Sequence, residues 1–235
     1  AKEQGFRVSL DLMYGLPEQT LFDLKDSLER AEALDVGHIS VYGLIVEDGT
    51  PFAHRKAAGK LKLPTDDATG DMYDSMQDIL MQMGYRRYEI ANYAKVGEES
   101  RHNLAYWQDV PYIGIGASAH SYWQGRRTEN EPDLCRYIAC IEEGRSPAKE
   151  ETLLTREAHI EEVAFLSLRT AEGINKERFF ATFACKLQDF YGDVIAHLER
   201  AGLVEETDAS VRLTAKGMKF GNRVFAEFLL ERDKT

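Results

Sequence analysis

From residue 6 the chain alternates: Phe6, Val8, Leu10 and Leu12 fall on one side, Arg7, Ser9 and Asp11 on the other. A period of two predicts a strand over 6–12. Tyr14-Gly15-Leu16-Pro17 ends it, and Thr20 with Asp23 three residues on forms a capping box for a helix carrying Leu21, Leu24, Leu28 and Ala31. A second strand is expected over 38–45, then a loop to Pro64. A second helix follows from Thr65 or Asp66, with the apolar stripe Met72, Met76, Ile79, Leu80 and Met83 and with Gly84 as its C′ residue. Residues 86–90 read as a third strand. Strand and helix in alternation with short connections predict parallel βαβ units, and three such strands alone leave a sheet edge raw. The expectation is the later part of a larger barrel or wound sheet.

After Ala94 the pattern turns aromatic and glycine-rich over 100–123. Pro147 and Lys149-Glu150-Glu151 read as a linker, which divides the chain into 1–150 and 151–235. Helices are predicted over 156–169, 176–184 and 190–201, then a small hairpin around Thr207-Asp208-Ala209. A last helix is capped by Thr214 and runs through Leu230. Three helices, a two-stranded wing and a final helix suggest a winged-helix arrangement.

Composition narrows the function classes. With 43% hydrophobic and 10% aromatic residues the 235-residue chain has the apolar mass of a folded domain, and three cysteines are too few for a disulfide framework. Forty acidic against 29 basic residues leave a net charge of −11, so the surface repels phosphate backbones. The winged part is acidic as well, with 12 Lys and Arg against 15 Asp and Glu from Glu151 onward. Its candidate recognition helix sets Asp193 and Glu199 against Arg200, so no nucleic-acid partner is expected. No run of the roughly 18–20 apolar residues that span a bilayer occurs, and the polar start lacks a signal peptide, which gives a cytoplasmic expectation. The chain opens without methionine and reaches a strand at once, which suggests a fragment.

Three places carry candidate chemistry. Asp11 lies opposite the apolar row near the carboxyl end of its strand, where ligands gather in parallel α/β folds. Its carboxylate could accept hydrogen bonds from a ribose or an ammonium group, or merely cap the turn that follows. His102 neighbours Asn103, Tyr106 and Trp107; imidazole is an axial ligand for haem iron and flat aromatics suit a tetrapyrrole, whereas an isolated histidine is usually a satisfied polar residue. Residues 112–121 place Gly114 and Gly116 where a backbone could approach a ligand closely. That segment is neither a dinucleotide fingerprint, for want of the third glycine, nor a hydrolase elbow, because His120 stands at the final glycine position. Cys135 and Cys140 sit about 140° apart on a helix, and with Cys185 they are too few for a zinc or four-iron site. Buried or unpaired thiols are expected.

Taken together, D-L-M-Y-G-L-P-E-Q-T at 11–20, Y-E-I-A-N-Y-A at 88–94, H-N-L-A-Y-W at 102–107 and G-I-G-A-S-A-H-S at 114–121 resemble, in order and spacing, one branch of the radical S-adenosylmethionine family. That branch comprises the oxygen-independent coproporphyrinogen III oxidases and their haem-chaperone relatives, and H-N-L-A-Y-W looks like the chaperone side. The resemblance implies an α/β chain: the C-terminal portion of a partial (β/α)6 barrel, then a mainly helical winged-helix-like domain. It implies a four-iron–four-sulfur cluster, S-adenosylmethionine and haem as cofactors of the whole protein. By analogy Asp11 would hold the S-adenosylmethionine ribose, Ile45 would line the adenosyl group, and Ala119 or His120 would close that pocket. His102 would be the axial haem ligand, with Asn103, Tyr106 and Trp107 shaping its site.

One departure stands out. The family's C-x-x-x-C-x-x-C cluster motif and the glycine-rich contacts of the early strands are absent, so this piece is expected to lack the N-terminal cluster-binding part and radical chemistry of its own. The resemblance leaves three functional readings. The first is haem delivery to acceptor haemoproteins, with an open sheet edge available for a homodimer. The second is decarboxylation of coproporphyrinogen propionates in porphyrin biosynthesis, started by a 5′-deoxyadenosyl radical. The third is a protein-interaction module in the winged part.

Overall fold

The structure, a computed structural model, describes residues 2–230, and by internal contacts it divides into two compact units, 1–100 and 101–235. The first unit holds a four-stranded sheet in the order β1-β2-β4-β3, built from Ser9–Tyr14 (β1), His38–Gly43 (β2), Arg86–Arg87 (β3) and Asn92–Ala94 (β4). Helices Leu21–Ala33 (α1) and Asp66–Gln82 (α3) bury Leu24, Leu28, Ala31, Met72, Met76 and Leu80 against Ile39 and Val41 of β2, with Leu10, Leu12 and Tyr14 of β1 alongside. The capping box forms as the sequence predicts: Asp23 N–H bonds the Thr20 side chain, and the Asp23 carboxylate accepts from Thr20 N–H. Gly84 ends α3 at φ +85°, a conformation that costs glycine little.

Two features differ from the alternation-based reading. Only β1 and β2 pair in parallel; β4 runs antiparallel to both β2 and β3, so the strand predicted over 86–90 shortens to β3, and β2 pairs instead with the reversed β4 just beyond it. The bend at residues 90–91 turns the chain back before it pairs, which periodicity alone does not register. The expected loop before Pro64 contains helix α2, Pro51–Ala57, capped by Thr50 and opened by Pro51 at its first position.

In the second unit, Arg101–Trp107 forms α4, and strands His120–Trp123 (β5), Arg126–Asn130 (β6) and Ala148–Leu153 (β7) make an antiparallel sheet, with Leu134–Glu142 (α5) between the last two. The segment read as a linker is β7, paired along its length with β6. Next come Arg156–Leu168 (α6), Ile174–Asn175 (β8), Lys176–Phe183 (α7), Gln188–Arg200 (α8), and the hairpin Val204–Glu206 (β9) and Ser210–Leu213 (β10). The sheet order β8-β10-β9 completes the winged-helix arrangement, with Ile160, Leu168, Phe179, Tyr191, Ile195 and Val211 buried at its centre. The final helix is broken at Phe220 into Ala215–Lys219 (α9) and Gly221–Glu227 (α10), and within α9 Gly217 packs so close to the carbonyl of Leu203 that a Cβ would collide with it. Among the described residues no helix is long and apolar enough to cross a membrane.

Candidate functional site

Asp11 sits on the sheet face opposite α1 and α3. The parallel register pairs it with Ser40, and the antiparallel one pairs Ser40 with Asn92, so Asp11, Ser40 and Asn92 form one row across three strands. The neighbouring rows are Ser9, His38 and Ala94 on one side and Met13 with Tyr42 on the other. Asp11, Met13 and Tyr42 are exposed, and Ile45 just past β2 is 74% exposed, so a carboxylate stands beside an open apolar floor.

The other end of this face is polar and buried. His38 Nδ1 lies 2.7 Å from Ser9 Oγ, and its Nε2 lies 2.7 Å from Tyr88 Oη. Burial holds the His38 imidazole below its usual pKa; the Asp11 charge opposes that and Arg7 adds to it. Glu89 is 2% exposed, and its Oε1 accepts from the Ala91 N–H and the Asn92 amide. Asn92 Oδ1, buried too, has no donor among the described residues. A buried acceptor without a partner asks for a ligand or water that brings a proton. These residues fit S-adenosylmethionine, which carries hydroxyl and ammonium donors and a positive sulfonium.

The second candidate centre lies in the second unit. His102 is exposed on the first turn of α4, and neither ring nitrogen has a hydrogen-bond partner among the described residues. Its ring meets Tyr106 edge-on at 4.8 Å, and Tyr106 meets Tyr112 in the same way at 4.7 Å. Spacing i, i+4 puts the first pair on one helix face. An accessible imidazole with a free nitrogen, steadied by an aromatic file, fits an axial ligand to haem iron. Asn103 is half-buried. Trp107 is turned to packing, its ring 4.6 Å from the Arg169 guanidinium, with a buried Nε1–H that finds no acceptor among the described residues.

Behind α4 stands a cluster that sequence reasoning missed. His159 Nε2 on α6 lies 2.6 Å from Asp109 Oδ2 and 3.0 Å from Tyr122 Oη. Arg127 lies over the Tyr122 ring and forms a two-pronged ion pair with Glu162. Burial and the neighbouring Asp109 charge push the Tyr122 phenol up to about 12. No spacing rule links residues 109, 122 and 159, so only the tertiary fold reveals the triad. Glu89 and Asn92 do leave a signal in the sequence, two polar residues inside an otherwise apolar strand motif, but it does not say which of them is buried.

Ala119 and His120 lie at the start of β5, with Ala119 half-buried and His120 exposed. The glycines before them serve the chain's own packing. A Cβ on Gly114 would collide with the carbonyl of His120, and Asn130 Nδ2 donates to Gly116 O at 3.0 Å. The close approach is thus between two backbone segments of this chain. The three cysteines are unpaired, as expected, but not buried: Cys135 is exposed, Cys140 and Cys185 half-buried. Among the described residues no group of three or more His, Cys, Asp or Glu side chains could hold a metal ion.

The fold is that of a radical S-adenosylmethionine coproporphyrinogen oxidase in its C-terminal part. Coproporphyrinogen III oxidase (HemN) from Escherichia coli superposes with a TM-score of 0.76 at 23% identity, over 97% of this chain and 56% of that one. Residues 154–220 match the HemN C-terminal domain. More particularly, the chain is 41% identical over 232 residues to the haem chaperone HemW of Bacillus subtilis, and 38% identical over 231 residues to that of Lactococcus lactis. A mitochondrial radical S-adenosyl methionine domain-containing protein 1 from Danio rerio is 29% identical over 239 residues. The four-motif resemblance therefore holds as a similarity: the chain is similar over nearly its whole length to proteins named haem chaperones, and in fold to a coproporphyrinogen III oxidase. The first two matches take in 98% of this chain but only 61% and 60% of those relatives' length.

Proposed function

We propose that this chain is part of a haem chaperone, in which haem bound through His102 is handed to acceptor haemoproteins. The observation that carries this is the exposed imidazole of His102, its nitrogens free and its ring held by Tyr106 and Tyr112, in a chain similar to proteins named haem chaperones. Asn103, Tyr106 and Trp107 shape the surroundings. Asp11 and Ile45 of the first unit take the ribose and adenosyl group of S-adenosylmethionine. Bound S-adenosylmethionine and a four-iron–four-sulfur cluster would supply radical chemistry to the whole protein. The cluster's ligands lie outside this chain, whose three cysteines do not form the family's motif. Residues 1–150 supply barrel elements and motif-bearing loops, and 151–235 a winged-helix-like domain; the protein works in the cytoplasm, where it is able to form a homodimer.

Titration of haem into the chain tests the reading: the unaltered chain is expected to shift the Soret band at stoichiometric haem, and His102→Ala to abolish the shift. Full haem affinity in His102→Ala overturns it. The oxidase reading is favoured by one observation, the HemN C-terminal domain over 154–220. It requires protoporphyrinogen formation by the full-length protein, which a chaperone would not show. Anaerobic iron–sulfur reconstitution checks the assignment of the cluster, since a stoichiometric four-iron cluster on these 235 residues would refute it.

A further inference from the structure

Arg169 is a half-buried cation with no counter-charge in an acidic chain. It caps α6, and its guanidinium lies 4.6 Å from the ring centre of Trp107 on α4 and 5.7 Å from that of Phe225 on α10. Among the described residues its side chain has neither an ion pair nor a hydrogen bond, and Nε is buried without an acceptor. Carboxylates are not scarce in this unit: Arg126, Arg127, Arg145, Arg178 and Arg212 each face a glutamate. Arg156 and Arg200 donate to backbone carbonyls. Arg101, Arg136 and Arg223 have no ion pair either, but they are exposed, where water solvates the charge. Beside Arg169, the Trp107 Nε1–H is a second buried donor without an acceptor among the described residues. Two desolvated N–H groups side by side, one of them charged, ask for an anion.

We propose that Arg169 and Trp107 form a carboxylate-binding site in the second unit, where α4, α6 and α10 meet. An aromatic ring attracts a guanidinium but accepts none of its five in-plane N–H bonds, so the stack holds Arg169 in place and leaves its donors available. A carboxylate matches that planar fork with two parallel bonds, and the indole N–H adds a third donor. A net charge of −11 favours a singly charged carboxylate over a phosphate dianion. The site does not depend on His102. A free small dicarboxylate and the propionates of a porphyrin carry the same group. A purely structural role, a stack that pins α4 to α10, would change stability without any response to carboxylates.

Fluorescence titration of the 235-residue chain tests this in a Trp123→Phe background, where Trp107 is the one remaining tryptophan. Succinate at constant ionic strength is expected to change the Trp107 emission saturably, and Arg169→Gln to weaken that response about tenfold. Arg169→Lys keeps the charge but loses the planar fork, so it should recover only part of the affinity. A Soret titration with haem and with its dimethyl ester, whose propionates are blocked, tells the two sources apart. A preference for haem over the ester that shrinks in Arg169→Gln assigns the site to porphyrin carboxylates; a succinate response without that preference assigns it to a free carboxylate. Absence of haem binding removes the chaperone reading, while a succinate response that depends on Arg169 keeps the site. No succinate response together with equal affinity for haem and ester overturns the inference without any variant. Responses that stay undiminished in Arg169→Gln and Arg169→Lys, with circular dichroism unaltered, overturn it too.

Discussion

Asp109 and His159 are joined by a 2.6 Å contact between Oδ2 and Nε2, and both side chains are largely withdrawn from solvent. Asp109 adopts φ +56°, so the contact holds the residue that ends the α4 turn in a left-handed conformation. Removal of one partner leaves a buried group unsatisfied. Asp109→Ala is expected to destabilise the protein by about 1–3 kcal/mol. His159→Ala should do so by a similar amount, and the double variant by less than their sum, as urea unfolding would show; additive losses would mean the two side chains are not coupled.

His38 predicts a pH effect of definite sign. Burial lowers its pKa in the folded state, so as pH falls through about 6.5 the unfolded chain takes the proton first. Stability contributed by neutral His38 is fully present above that value and is lost as pH drops toward the folded pKa. His38→Asn should flatten the stability profile between about pH 7 and pH 5. An unchanged slope would assign it to other groups.

Glycine substitutions should act in opposite directions at two positions. Gly114→Ala drives a methyl into the His120 carbonyl and is expected to cost about 1–3 kcal/mol. Gly70 lies within α3 with nothing near the position of a Cβ, so Gly70→Ala is expected to stabilise by about 0.5–1 kcal/mol. Thermal unfolding of the two variants checks both signs.

Leu28 is fully buried where α1 meets the sheet. Its truncation to alanine is expected to cost about 2–5 kcal/mol, the range of a buried leucine that leaves a cavity. A cost below about 1 kcal/mol would show that α1 repacks freely.

The helices were legible because their signals are local. Thr20, Thr65 and Thr214 each cap the helix expected of them, and the stripe at Met72, Met76 and Leu80 is buried as its spacing requires. Strand direction was not legible. Tyr88 to Ala94 has the composition of a parallel strand, but pairing is decided by where the chain bends, and a bend at two small or apolar residues, Ile90 and Ala91, leaves no turn signature. The position of Asp11 on the face away from the helices followed from alternation, whereas its companions Ser40 and Asn92 depend on register between segments some 30 and 80 residues distant. His102 stands out by its neighbours in sequence, and its aromatic support at Tyr112 only by the fold.

Strand β4 is three residues long and bonded on both sides, to β2 and to β3. In this frame Tyr93 is buried opposite Ile39 while Asn92 faces the Asp11 side. A slip by one position would thrust the amide among Leu28 and Met76 and expel the phenol, and two ladders would have to shift at once. The tripeptide therefore works as a latch with one setting, which keeps the polar side of the sheet in frame even though so few residues hold it.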